Sequence, residues 1–333
     1  MTENGAFPPA VIPAKAGIQE KQAFFSGLLA SPLRTRPGQI QGGRLHMNRE
    51  SAYTLIRSLL LSALAIGAIQ SARSEESSFG SNPLACRFAS YGEFKESAWT
   101  HLPQIGVHYV FMNVPAPDEV EATMKRLAEH KLTPVVLRGD TKLSEATSVE
   151  DLAVQLETCE KMGVRYMFLS PKRHGAPQEV VCDRLRQVGE IAKQHGVTVA
   201  LETHPDLGTN GDVHLETMKL INHPNIRVNF DTGNITYYNK DTDAVAELKK
   251  IVDYVATVEL KDHTGQYETW NFPPVGQGVV DIPAILGILK EHNYSGPITL
   301  EFEGIKGVEL NETETQKAIA ESVAYVRSLG CFK

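Results

Sequence analysis

A glycine-rich phosphate loop, paired CxxC cysteines and a surplus of positive charge are all missing from this chain, and each absence removes a class of protein. Neither GxGxxG nor GxxxxGK[ST] stands where a strand meets a helix, which argues against an open, doubly wound nucleotide-binding sheet. The four cysteines, Cys86, Cys159, Cys182 and Cys331, lack the spacing of a zinc finger. They read as buried thiols, with a Cys159–Cys182 disulfide as the competing reading if the chain is exported. A formal charge of -7 provides no basic surplus to neutralise phosphates, so nucleic acid is not an expected partner. Long apolar runs are also absent: the run from Ser58 to Ile69 falls well short of the roughly 20 residues that span a bilayer.

That short run has its own meaning. Residues 1–46 carry Pro and Gly punctuation without a core pattern and are read as a non-core extension, upstream of a true start at Met47. Residues 47–74 then have the layout of a signal peptide: Arg49 and Arg57 first, the apolar run next, and small residues around Ser71 to Ser74. The expectation is export, to a periplasmic compartment, with no stable membrane span once the signal is removed. A short core helix is the alternative.

From residue 83 to 330 one rhythm repeats eight times, an apolar strand followed by an amphipathic helix. The strands read as LACRFASY (84–91), YVFMNV (109–114), PVVLRG (134–139), YMFLSPK (166–172), TVALETH (198–204), RVNFDTGN (227–234), YVATVELKD (254–262) and PITLEFEG (297–304). Runs such as VEDLAVQLETCEKMG between them have apolar residues at helical spacing and exit on Gly. Near-continuous apolar strands alternating with helices indicate a parallel sheet covered on both faces, and eight such units match the size of a (β/α)8 TIM barrel. The expected fold class is therefore α/β, a single-domain (β/α)8 barrel.

Active sites of such barrels stand at the carboxyl ends of the strands. There the fifth to eighth strands carry Glu202, Asp231, Glu259 and Glu301. Residues two apart share a face of a strand, so Glu202 goes with His204, Asn229 with Asp231, Glu259 with Lys261, and Thr299 with Glu301 and Glu303. The residues between them, Val199, Leu201, Val228, Phe230, Leu260, Leu300 and Phe302, suit the helical layer. Four inward acids on neighbouring strands repel one another unless a cation joins them. Oxygen ligands favour Mg2+ or Mn2+ over sulfur-seeking metals.

Taken together and in this order, ALETHP, NFDTGN, VELKDH, PVGQGVVDIPAIL and GPITLEFEG resemble the xylose isomerase-like barrel superfamily, which includes sugar phosphate isomerases and epimerases, inosose dehydratases and endonuclease IV. The resemblance implies a divalent metal held by Glu202, Asp231, Glu259 and Glu301. Glu259 stands where the family has the His of an HxKD motif, while Lys261 and Asp262 are retained. Four carboxylates leave an excess of negative charge, which favours Mn2+ or Mg2+ over Zn2+ or calls for a cation such as Lys261. Alternatively Glu259 pairs with Lys261 and the ion has three protein ligands, or the metal is lost and the barrel only binds.

The resemblance further implies that Glu202 and Glu301 flank a sugar and shuttle a proton beside its carbonyl, through an enediolate. His204, His263, Lys261, Lys172, Arg87 and Arg138 are candidate substrate-binding residues, each read against an ordinary solvated or rim charge. Asp281 is expected to cap the helix IPAILGILKEH. The expected activity is that of a metal-dependent sugar or keto-sugar isomerase or epimerase on a small carbohydrate. A lyase or dehydratase using the same site on a keto-sugar or keto-glycoside is one alternative, and a non-catalytic exported carbohydrate-binding barrel is the other. Export argues against a phosphorylated intracellular substrate. Pairing into a homo-oligomer is left open, and an endonuclease role lacks both the His-rich zinc cluster and the basic groove it requires.

Overall fold

The computed structural model describes residues 81–332, so the readings of residues 1–46 and 47–74 lie outside the described residues. Eight parallel strands close into a barrel: β1 (Leu84–Arg87), β2 (Tyr109–Asn113), β3 (Thr133–Arg138), β4 (Tyr166–Leu169), β5 (Thr198–Glu202), β6 (Ile226–Asp231), β7 (Val255–Leu260) and, after the short β8 (Asn271–Phe272), β9 (Ile298–Leu300). β1 pairs with both β2 and β9, which completes the closure. β8 and β10 (Gly304–Ile305) form a separate antiparallel pair. The (β/α)8 expectation is met.

Alternation along the strands sorts the core into two parts. Val199, Leu201, Val228, Phe230, Val258, Leu260, Ile298 and Leu300 join the large apolar cluster with the helices. Phe111, Val136 and Phe168, from β2 to β4, form a separate small cluster. On β5 to β7 and β9 the alternate positions are Ala200, Asn229, Thr257 and Thr299, all buried. Polar and small residues thus replace apolar ones on the side of the barrel that carries the acids.

In the second half of the barrel, helix starts are fixed by side chains that satisfy otherwise unpaired amides. Asp281 accepts from the Ala284 amide and starts Ile282–Glu291, as expected. Asn210 does the same for Gly211–Ile221, and Asn311 with Glu314 forms a capping box on Glu312–Ser328. Most of the barrel strands are shorter than their sequence patterns, β1 and β9 by the most. β1 ends at Arg87 and passes into a 3-10 segment, Phe88–Ser97, while β9 ends at Leu300. Glu301 and Glu303 therefore stand just beyond a strand. All four cysteines are free, and Cys159 and Cys182 are not bonded to one another.

Candidate active site at the barrel mouth

Strand register places the acids at one level. Glu202 is opposite Asn229, Asp231 opposite Glu259, and Glu259 opposite Thr299. One carboxylate oxygen from each of Glu202, Asp231 and Glu259 lies within 4.8 Å of the others. Asp231 is fully buried and caps the short helix Thr232–Tyr238, its Oδ1 accepting from the Gly233 and Asn234 amides at 3.0 Å. Its Oδ2 is buried without a hydrogen bond; Lys261 Nζ is 2.9 Å away, at ion-pair distance but off hydrogen-bond direction. Glu259 is held at both oxygens, Oε1 by Arg87 Nη1 at 3.0 Å and Oε2 by Asn229 Nδ2 at 2.8 Å. Asn229 is oriented in turn by Thr257, whose hydroxyl donates to its Oδ1 at 2.6 Å. No hydrogen bond or ion pair from the described residues holds the Glu202 carboxylate.

Glu301 is placed differently. Its Oε1 accepts from the same Arg87 nitrogen that serves Glu259, and its Oε2 accepts from Lys261 Nζ at 2.9 Å. Lys261 Nζ lies 2.9 Å from each of Asp231, Glu301 and Glu303. The pairing of Glu259 with Lys261 considered from sequence is not formed; Glu259 pairs with Arg87. The Arg87 guanidinium also stacks on Phe111 and Phe168, 4.7 and 5.0 Å from their ring centres, so the apolar half of the barrel interior serves as its floor.

Burial and charge act against each other here. Burial favours protonation of Glu301, but Arg87 and Lys261 outweigh it and hold the carboxyl at about 2. Burial, with Glu301 nearby, pushes Glu259 well above the usual carboxylate range, and Arg87 only partly opposes it. Burial likewise raises Asp231 to about 7 against the pull of Lys261. Burial disfavours the charge on Lys261, yet the surrounding acids raise it, so it remains an ammonium.

A cavity of about 300 Å³ opens above these groups, within the size range of small-molecule pockets. Arg87, Arg138, Lys172, Glu202, His204, Lys261 and Glu301 all line it. His263 does not: it is fully buried, its Nδ1 with the Thr236 hydroxyl and its Nε2 with the Thr269 carbonyl, leaving no nitrogen for a substrate. His204 contacts the Pro205 carbonyl through Nδ1 at 2.6 Å and Tyr238 Oη through Nε2 at 2.8 Å. A carbonyl only accepts, so Nδ1 carries the proton and Tyr238 donates to Nε2.

The rest of the wall went unnoticed in the sequence. Tyr237, Tyr238, Trp270 and Phe272 line the cavity and pack edge to face or tilted against one another. Trp270, one of two tryptophans and set in a polar loop, was the visible signal. Asp262, retained in the motif, has a role the sequence did not indicate: its carboxylate accepts from the amides of His263, Gly276, Gly278 and Val280 and so ties down the loop PVGQGVVDIP.

The donor set suits a hard cation. Glu202, Asp231, Glu259, Glu301 and Glu303 carry five carboxylates against two cations, Arg87 and Lys261, which pair with all of them but Glu202, and among the described residues the buried Asp231 Oδ2 has no hydrogen-bond donor. Each engaged Glu259 oxygen retains a further lone pair. Glu202, Asp231 and Glu259 are thus the residues that could hold a metal, while Glu301 is committed to Arg87 and Lys261.

The family description of a xylose isomerase-like TIM barrel matches residues 100–329. The chain belongs to this family. Among curated relatives it is 25% identical over 184 residues to the L-ribulose-5-phosphate 3-epimerase of Shigella flexneri, covering 53% of this chain and 62% of that one. It is 28% identical over 143 residues to an inosose dehydratase of Salmonella agona, covering 38% of this chain and 46% of that one. The matched region thus spans less than two thirds of either relative. Among solved structures, a xylose isomerase-like TIM barrel protein from Mycobacterium smegmatis in complex with magnesium superposes with a TM-score of 0.60 at 14% identity, over 74% of this chain and 96% of that one, a likeness of fold.

Proposed function

We propose that the barrel mouth is the active site of a metal-dependent sugar isomerase or epimerase that moves a proton on a carbon beside a carbonyl. The observation that carries this reading is the convergence of Glu202, Asp231 and Glu259 within 4.8 Å beneath a cavity that Glu202, Lys261 and Glu301 also line. Among the described residues no hydrogen bond or ion pair holds the Glu202 carboxylate, and Glu301 lines the same cavity as an ionised carboxylate, so the two flank a bound sugar as the acid/base pair. Lys261 and Arg87 hold Glu301 and add positive charge beside the reacting carbonyl. Arg138 and Lys172 offer donors to hydroxyls at the rim, and Tyr238 Oη, its proton directed to His204, offers an acceptor. A cation bound by Glu202, Asp231 and Glu259 would polarise the carbonyl, and an all-oxygen donor set favours Mn2+ or Mg2+ over Zn2+.

The dehydratase among the relatives favours a second reading, β-elimination, which begins with the same proton abstraction. Exchange of solvent deuterium into a panel of ketoses and keto-glycosides with Mn2+ tests both. Wild type is expected to exchange, with Glu202→Gln and Glu301→Gln each slower by about 100-fold or more. Exchange that survives both substitutions removes the assignment, and release of water from the substrate selects the elimination. The reading includes export through residues 47–74. Peptides from residues 1–46 in native protein, found by mass spectrometry, would remove that part.

A further inference from the structure

The mouth cavity does not end at its own rim. A second cavity, about 360 Å³, lies beside it, and the two share Arg87, Trp270, Glu301 and Glu303 as a common wall. The mouth alone sits at the lower end of the volumes that small ligands occupy; joined to its neighbour it is more than doubled and falls in the middle of that range. The neighbour differs in chemistry. Its outer wall is the 3-10 segment after β1 on one side, with Phe94, and the β10 region on the other, with Ile305 and Val308. Ile305 and Val308 are 43% and 53% exposed, and Trp270, which lines both cavities, is 38% exposed. Large apolar side chains grouped in a concave surface mark a ligand groove rather than ordinary surface.

The composition of this groove matches a pyranose ring. A sugar presents an apolar face of C–H groups and a polar edge of hydroxyls. Here the aromatic and aliphatic groups of Trp270, Phe94, Ile305 and Val308 meet the carboxylates of Glu93 and Glu303, which can accept hydroxyl protons. Trp270 is braced from behind, edge to face against Phe272 and Tyr237 at 5.3 and 5.9 Å, so it offers a fixed rather than a mobile surface. The mouth and the groove meet beside Glu301, where a glycosidic link would pass from one to the other.

We infer that the substrate is a glycoside: the reacting sugar sits in the mouth and a second sugar ring occupies the groove between Trp270, Phe94 and Val308. This rests on the mouth being a sugar site, and the test separates the two claims. Isothermal titration is performed on the full chain with Mn2+, using free ketoses (fructose, tagatose) and ketose-ended disaccharides of several linkages. At least one disaccharide is expected to bind tenfold or more tightly than its free ketose. That ratio should fall at least fivefold in Ile305→Ala/Val308→Ser and in Phe94→Ala, with circular dichroism and Tm reporting that each variant is folded. Disaccharides that bind no better than ketoses, or a ratio unmoved in both variants, overturn the groove while leaving the mouth as a sugar site. Failure of ketoses and disaccharides alike to bind overturns the proposed function and the groove with it.

Discussion

Arg87 on β1 and Glu259 on β7 meet inside the barrel, Nη1 to Oε1 at 3.0 Å, although 172 residues separate them and β9 lies between their strands. The same nitrogen holds Glu301, so a single guanidinium fixes two carboxylates that would otherwise repel. Arg87→Met should cost about 3–5 kcal/mol, because it leaves buried acids without a partner. Arg87→Lys should recover part of that loss, keeping the charge but not the planar stack on Phe111 and Phe168. Urea denaturation of Arg87→Met, Glu259→Gln and the double variant checks it. The double variant should be at least about 1 kcal/mol milder than the sum of the singles, and strict additivity would contradict the pairing.

Asp262 carries a different load. Fully buried, it accepts four amides, three of them from the loop between Phe272 and the helix Ile282–Glu291. A hydrogen bond to a charged group contributes about 1.5–3 kcal/mol. Asp262→Ala should therefore destabilise the protein by about 3 kcal/mol or more, with Asp262→Asn intermediate. Hydrogen exchange at Gly276, Gly278 and Val280 should accelerate selectively. Gly278→Ala should resemble the alanine variant, since an added Cβ would lie 2.2 Å from Asp262 Oδ1. Unchanged exchange at these amides would show that the loop is held by something else.

The barrel and its acidic side were legible because strand periodicity is local: VALETH and RVNFDTGN each display inward and outward residues without reference to the rest of the chain. What could not be read was which charge meets which. Glu259 and Lys261 share a strand face, so pairing them was the natural local reading, yet they point to different depths and find partners on other strands, Arg87 for one and Asp231, Glu301 and Glu303 for the other. Only closure of the barrel brings β1 to that point. His263 misled for a related reason: a histidine after a strand end looks free, and its partners, Thr236, Gly265 and Thr269, come from a preceding helix and a following loop. Strand ends were overrun furthest at β1 and β9, where the apolar pattern continues into segments that no longer pair.

A cation that binds the folded acids and not the unfolded chain must raise stability by mass action. At a hundredfold excess over its dissociation constant the gain is about 2.7 kcal/mol. Thermal denaturation with Mn2+, Mg2+ and Zn2+ should show the largest rise in Tm for Mn2+ or Mg2+. Glu202→Gln and Asp231→Asn should each abolish most of that rise while remaining folded, and chelator should reverse it. A rise preserved in both variants would place the ion elsewhere.

His214 is one source of acid sensitivity in the fold. It is carried by the helix Gly211–Ile221 and fully buried, its Nε2 3.3 Å from Thr203 Oγ1 and its Nδ1 without a partner among the described residues. The Thr203 hydroxyl donates to the Asn229 carbonyl, so His214 Nε2 carries the proton and Nδ1 is bare; adding a proton there would bury an unpaired cation. Burial accordingly lowers its pKa from 6.5 to about 3. Above pH 6.5 the imidazole is neutral in both states and does not affect the balance. Below it the unfolded chain binds a proton that the folded one refuses, so stability falls as pH drops, until folded His214 also titrates near pH 3. The loss attributable to this residue should be about 2 kcal/mol at pH 5. Urea titrations of wild type and His214→Gln from pH 7.5 to 5 check it, read as the difference in slope so that any constant cost of the substitution cancels. Parallel pH profiles would show that His214 is protonated in the folded protein.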